Sequence, residues 1–488
     1  MMKATLEVNL QRLVSIIDIV TLHKAVDISE LADYVGASKK TLLNDIKDFN
    51  ENYPPFKLEA SPHYYRLTHP VNFSIRELYQ MILNNSSSVE FIWSILLKEY
   101  SLDEYAEVNF TSSSNIRRLI KRFNDTFAEK NLPLEVVTKP FLHIAGEENL
   151  IRQLYQHLVT ERYGIDFLTE FPGLPEIYTE IQHLVIRNFP NDKDIVDCYS
   201  VVLLIFIAAK RQNQAFYTTH SAKHKIKAYT LAITALFKKS TLLDSLLWDH
   251  LQFKVKISSV ADILPFDSPS IIPTMYLKHK PDYYINKNIG ITYADVLEFT
   301  TDFFKAIDLE VEQITPPTIW LYNVMAAQQR FPFYIFNRYY FFKNHLNKTK
   351  PTTVTTFFEH CEQSKLFDQS IQTDDLRNEL FYHIIMATPE FSNRLLSVIE
   401  PKKVIFLSTF STLLYFRLQY ITAKKYPQLS DVDIYHGSLT NLDYELLDKY
   451  DVIVTDMPLV DSPIIDKVIR FSFNDVANFW KDFETLIT

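Results

Sequence analysis

The sequence predicts a mainly α, multi-domain protein, built as tandem winged helix-turn-helix units, two helical bundles and a C-terminal α/β domain. Three observations carry that reading. Helical periodicity runs through most of the 488 residues, with only six glycines to interrupt it. The order helix, turn, helix, hairpin occurs twice in the N-terminal part. Beyond residue 402 short apolar strands alternate with helices, the pattern of a parallel sheet. The boundaries expected from this punctuation are 1–70, 71–162, 163–282, 283–400 and 401–488.

In the first unit Val8, Leu13, Ile16, Ile17 and Val20 mark one helix, and "DISELADYV" gives a second, opened by Asp27 or Ser29. Gly36 sits in the turn and Ser38 caps a third helix. There Leu42, Leu43, Ile46, Phe49 and Tyr53 form the expected inner stripe, while Lys40, Thr41, Asn44 and Lys47 face outward beside Asp48 and Glu51. "FKLEA" and "YYRLTH" then read as two short strands, the wing. Ser38, Lys39, Lys40, Thr41, Asn44 and Lys47 are this unit's candidate DNA contacts.

The second unit repeats the order. Helices at about 74–84 and 87–99 lead through "SLDEYAEVN" and "FTSSS" to "SNIRRLIKRFNDTF". At roughly 100° per residue, Ile116, Leu119, Ile120, Phe123 and Phe127 share one face. Ser114, Arg117, Arg118, Lys121 and Arg122 gather on the other. "LPLEVV" and "FLHIAG" follow as a second wing with Lys139 at its tip. A basic third helix in that position is the one that enters a major groove, its Arg and Lys on phosphates and its N-terminal residues on base edges. The candidate contacts are Ser114, Asn115, Arg117, Arg118, Lys121, Arg122 and Lys139. The chain's net charge of −9 does not oppose this, because the electrostatic footprint is local.

Helices are expected at 147–163, 176–188, 195–211, 222–238, 292–307, 317–329 and 374–387, with the proline-bearing stretch 263–273 dividing the region in two. "QQRFPFYIFNRYYFF" (328–342) is read as core. In the last part "KKVIFLS", "DVDIYH" and "DVIVTD" are strands, "TLLYFRLQYITAKKY" and "DYELLDKY" helices, and "DVANFWKDFETLI" a closing helix.

Several function classes are disfavoured. No two glycines have GxGxxG or GxxxxGK spacing, so a phosphate-cradling loop of the usual kinds is not expected, and neither is a cofactor. Cys198 and Cys361 lie far apart and in no metal-ligand spacing. His220 and His224 have the i, i+4 spacing of two ligands, but Lys223 and Lys225 flank them and no third ligand is evident, so no metal site is expected. The longest apolar run, "VVLLIFIAA", is too short to span a membrane, and a cytoplasmic, non-enzymatic protein is expected.

The order of tandem winged helices, two helical modules and an α/β domain resembles that of the Mga-type and AtxA-type virulence regulators of Gram-positive bacteria. "ISELADYVGASKKTLLNDI" and "SNIRRLIKRF" look very like that family's DNA-binding motifs. The resemblance implies a transcriptional regulator of duplex DNA with a preference for curved, A·T-rich sites, and contacts with RNA polymerase. It implies helical modules like PTS regulation domains, phosphorylated on histidine by phosphocarriers of the sugar phosphotransferase system. It also implies a terminal domain like enzyme IIB that supports a homodimer or higher oligomer. "LRNELFYHIIMA" resembles the second histidine-bearing helix of such a module, with His383 in the phosphorylatable position; His220 and His224 are weak candidates for the first. Where an enzyme IIB carries its nucleophilic cysteine this chain has "LSTFST", so phosphotransfer activity is not expected. The alternatives are a PTS-regulated antiterminator, which binds RNA through a small β domain, and a phosphotransfer protein.

Overall fold

The computed structural model describes residues 2–23, 26–60, 64–188, 198–217, 240–254, 292–326, 333–367, 374–388, 402–407, 412–426, 429, 431–459, 464–472 and 476–487. The protein is mainly helical, with two antiparallel hairpins near the N-terminus and one small parallel sheet near the C-terminus. The expected helix 222–238, the stretch 263–273, His220, His224, Ser408 and Thr409 lie outside the described residues.

The first unit consists of α1 (Val8–His23), α2 (Ile28–Val35) and α3 (Lys39–Asn52), followed by β1 (Lys57–Ala60) and β2 (Tyr65–Thr68). The strands pair antiparallel with Lys57 opposite Thr68. Asp27 caps α2 by accepting from the Ser29 N–H at 2.6 Å, and Ser38 caps α3 by accepting from the Thr41 N–H at 3.1 Å. Gly36 ends α2 in the left-handed region, φ 68°, which turns the chain toward α3. Leu43 departs from its expected place in the inner stripe. It is 48% exposed, because Leu42, Ile46 and Phe49 already fill the narrow arc that faces the core.

The second unit consists of α4 (Ile75–Asn84), α5 (Ser87–Leu97), α6 (Leu102–Val108), α7 (Ser113–Glu129), β3 (Leu134–Val137) and β4 (His143–Gly146). The α6 helix was not assigned from sequence. Ser101 and Glu104 start it with a reciprocal capping box, at 3.2 and 2.7 Å. It supplies the first half of a helix-turn-helix whose second half is α7.

In both units a side-chain amide fastens the helix before the wing to the wing itself. Asn50 of α3 donates to the Leu58 carbonyl at 3.1 Å and accepts from the Leu58 N–H at 2.7 Å. Asn124 of α7 does the same to Val136, at 3.1 and 2.7 Å. The interval from Asn50 to Asn124 is also that from Leu42 to Ile116, Ile46 to Ile120 and Phe49 to Phe123, all buried. The two units are therefore alike residue by residue on the faces that must pack.

The chain continues into α8 (Glu148–Arg162), α9 (Phe167–Glu170), α10 (Leu174–Asn188) and α11 (Cys198–Asn213). Buried Arg152 and Arg211 converge on Glu148, at 2.8 and 2.6 Å. Burial alone would raise the Glu148 carboxyl, but hydrogen bonds and charge from Arg211 and Arg152 hold it below the usual carboxylate range. Arg211 also donates to the Ile144 carbonyl of β4 at 3.2 Å, tying the second wing to these helices. Among the described residues one apolar core extends from Met2 through both units to Phe253.

A second core is formed by the helices Tyr293–Ala306, Thr315–Ala326, Arg338–Thr349, Pro351–Gln363 and Asp374–Met386. Between the two cores stands the parallel sheet of β5 (Lys403–Leu407), β6 (Asp431–Ile434), β7 (Val452–Thr455) and β8 (Val468–Arg470), in the order β6-β5-β7-β8. Strand alternation sends Ile405, Leu407, Ile453 and Val468 into the first core and Val404, Phe406, Val452, Val454 and Ile469 into the second. Cutting the chain before residue 402 would uncover both cores, so the α/β part is not cleanly separable. The β8 strand, three residues long, was not expected from sequence.

Polar contacts reinforce this joint. Arg76 of α4 meets Asp456 at 3.4 Å, and buried Arg470 of β8 meets Glu77 of α4 at 3.2 Å. Glu161 of α8 accepts from the Ile335 and Phe336 N–H groups at 3.0 and 3.2 Å. The Phe336 ring lies 4.3 Å from that of Tyr79 on α4.

Asn124→Ala removes both bonds to Val136 and leaves that residue's N–H and carbonyl without the amide. A loss of about 1–3 kcal/mol is expected, read as a lowered midpoint in thermal unfolding. Burial pushes the Glu161 carboxyl up to about 7, against hydrogen bonds from Ile335 and Phe336 that lower it. A raised folded-state value means that the folded chain holds the proton more tightly. The group's contribution is therefore fully present at about pH 4 and is lost as pH rises through about 7. Glu161→Gln should flatten that fall between about pH 5 and pH 8; midpoints that track wild type across this range would contradict the assignment.

Candidate nucleic-acid interface

The α7 helix is built to show a basic face. Ile116, Ile120, Phe123 and Phe127 are buried beneath it, and Ser112 caps its start by accepting from the Asn115 N–H at 3.1 Å. Ser113 donates to Asp103 of α6 at 2.8 Å, which fixes the angle between the two helices. Of the three serines 112–114 at the start of α7, Ser112 is the cap.

Ser114, Asn115, Arg117, Arg118 and Lys121 are exposed together on the outer side. Arg118 donates to the Asn115 side-chain oxygen, and Asn115 donates in turn to the Thr111 hydroxyl at 3.3 Å. The carboxamide thus holds the guanidinium close to the N-terminal end of the helix. Among the described residues no carboxylate pairs with Arg117, Arg118 or Lys121. Their charge faces solvent beside the positive end of a helix dipole, a combination suited to phosphate oxygens.

Arg122 is different. It is half-buried and donates to the Ser88 hydroxyl at 2.6 Å, bracing α7 against the start of α5. Its expected outward position is thereby corrected: a long side chain on the shoulder of the helix found a polar partner behind it. Lys139 stands exposed in the connection between β3 and β4, at the tip of the second wing as expected.

In the first unit Ser38, Lys39, Lys40, Asn44 and Lys47 are exposed, and Thr41 is half-buried. The Ser38 and Thr41 hydroxyls lie 2.8 Å apart, so both side chains are engaged in the cap. Lys47 lies 3.8 Å from Glu51, and Arg12 pairs with Asp45 at 2.8 Å. Positions that carry Arg117, Arg118, Lys121 and Arg122 in α7 carry Leu43, Asn44, Lys47 and Asp48 in α3. The first unit has the same scaffold with a weaker, mixed-sign face.

Sequence reasoning missed one exposed residue of this region. Phe110, in the turn between α6 and α7, is 99% exposed at φ 49°. Its counterpart in the first unit is Gly36, as the matching turn bonds show: Ala37 N–H to Ala32 at 3.1 Å and Thr111 N–H to Ala106 at 2.9 Å. A left-handed conformation costs a non-glycine residue about 1 kcal/mol. Comparison of "YVGAS" with "VNFTS" held the signal.

The His383 side chain, on the helix Asp374–Met386, is 14% exposed. Its Nε2 lies 3.7 Å from a carboxylate oxygen of buried Glu379, and its ring stacks on Trp320, 5.6 Å between centroids with planes 2° apart. Glu379 also accepts from the hydroxyls of Tyr334 and Tyr339, at 3.3 and 3.4 Å. No helix among the described residues is long and apolar enough to cross a membrane.

Residues 71–159 match the family model of the Mga helix-turn-helix domain. The match runs from α4 through α7 and the second wing into α8, so it contains the whole basic face. No curated protein matches the chain. Residues 71–159 are thus a helix-turn-helix domain of the Mga type, and the chain that carries it is a DNA-binding regulator of transcription.

Proposed function

We propose that this regulator docks on duplex DNA chiefly through α7, with the tip of the second wing at Lys139 and the weaker α3 face as auxiliary contacts. The observation that carries the reading is the cluster Arg117, Arg118 and Lys121, exposed and without carboxylate partners among the described residues, at the capped end of a helix-turn-helix. Phosphate contacts supply most of the affinity, and the few base-reading side chains leave a share of the selection to DNA shape, which favours curved, A·T-rich sites. A homodimer would place two such faces on one duplex, and contact with RNA polymerase would turn binding into transcriptional output.

Regulation is proposed to act at His383, through phosphorylation by a phosphocarrier of the sugar phosphotransferase system. A phosphoryl group there adds about two negative charges beside Glu379. That carboxylate is held by Tyr334, whose ring lies edge-on to His157 of α8, 4.4 Å between centroids. Two residues on, Phe336 touches Tyr79 of α4 and donates to Glu161 of α8. Repulsion at Glu379 therefore bears on the segment that links the second core to the DNA-binding half.

Arg118→Ala with Lys121→Ala should leave the fold intact and weaken binding about equally across sequences. The slope of log affinity against log salt should drop by roughly 1.8, for two lost phosphate contacts. Titrations at several salt concentrations measure both, and an unchanged slope and affinity would remove α7 from the interface. For His383, incubation with the phosphorylated histidine carrier followed by mass spectrometry that preserves phosphohistidine should show label on that residue. His383→Asp and His383→Ala should then differ in promoter output. A labelled control protein alongside an unlabelled His383 would return it to a structural role.

A further inference from the structure

We propose that Phe110 reads thymine: its ring packs against the C5-methyl group of that base in the major groove, next to the point where α7 enters. The proposal rests on the reading of α7 as the DNA-binding helix. Phe110 lies two residues before the Ser112 cap, at the end of α7 that carries Ser114, Asn115 and Arg118. Its ring contributes nothing to the core, being 99% exposed. Nor does the turn need an aromatic side chain. The first unit makes the same turn with Gly36, around which a Cβ would meet nothing within 4 Å. A glycine would also relieve the left-handed backbone at φ 49°.

An exposed aromatic side chain in a strained turn is thus unfavourable twice over for the free protein, and its return must come from a partner. The partner's chemistry follows from the neighbours. Arg117, Arg118 and Lys121 favour a polyanion, and the major groove of duplex DNA combines phosphates with one strongly apolar feature, the thymine methyl. The polar and charged side chains at the start of α7 satisfy donors and acceptors but gain little from a methyl group. Phe110 supplies the missing apolar contact, and so selects thymine at one position.

The test uses the full-length protein and duplexes that it enriches from a random pool. The same duplexes are resynthesised with uracil in place of thymine, which keeps the pairing and removes the methyl. Wild type should bind the thymine form about fourfold more tightly, the worth of one buried CH2. Phe110→Gly should bind both forms alike, near the wild-type level for uracil, with a thermal midpoint equal to or above wild type. Phe110→Leu should restore part of the preference. Equal binding of both forms by wild type, or a full preference retained in Phe110→Gly, overturns the proposal. Arg118→Ala with Lys121→Ala, run beside them, separates the two failures. If that variant weakens on both forms while Phe110 has no effect, only the thymine contact falls. If it too is unaffected, the reading of α7 falls and the Phe110 proposal with it.

Discussion

Two side-chain amides, Asn50 and Asn124, set the geometry on which the DNA-binding half depends. Each forms a two-point hydrogen bond to one strand residue, Leu58 or Val136, and so fixes both the spacing and the rotation of a helix against its wing. A hydrophobic stripe alone fixes the rotation of a helix less closely, because apolar contact is not directional. With the amide in place, burial of Phe123 and Phe127 on one side leaves Arg117, Arg118 and Lys121 on the other. The same clamp in α3 presents a mixed face, so the scaffold and the charge it displays are separate choices.

Behind that scaffold the chain is joined at a second place. Glu77 both begins α4, through the Ser74 N–H at 2.7 Å, and receives Arg470 from the parallel sheet. A cap whose carboxylate also carries an ion pair makes the start of α4 sensitive to the position of β8. The sheet in turn is packed on both faces, which is why its strands are apolar at consecutive positions rather than alternating ones.

Much of this was legible in the sequence because it is local. Helix caps at Asp27 and Ser38, the turn at Gly36, the inner stripe of α7 and the strands at 403–407, 431–434 and 452–455 are each specified by a few neighbouring residues. What escaped was non-local or too short. The burial of Arg122 depends on Ser88, and the exposure of Leu43 on which neighbours claim the core. The seven residues of α6 and three of β8 give periodicity too little length to register. Of the candidate site, the basic face of α7 could be read directly. The environment of His383 could be read only in part: Glu379 lies one turn before it, but Trp320, which stacks on the ring, and Tyr334 and Tyr339, which donate to that carboxylate, come from elsewhere in the chain.

The sheet that stands between the two cores has a bearing on how the protein is made. A ribosome releases the chain from the N-terminus, so the helix-turn-helix units emerge long before β5, β7 and β8 do. Until those strands arrive, the residues that will receive Ile405, Leu407 and Ile453 on one side and Phe406 and Val454 on the other remain open to water. A nascent or prematurely ended chain would then display apolar surface to chaperones and proteases, and completed chains would be retained preferentially. Quality control of this kind would keep fragments with a ready α7, but without the second core and the sheet, from accumulating.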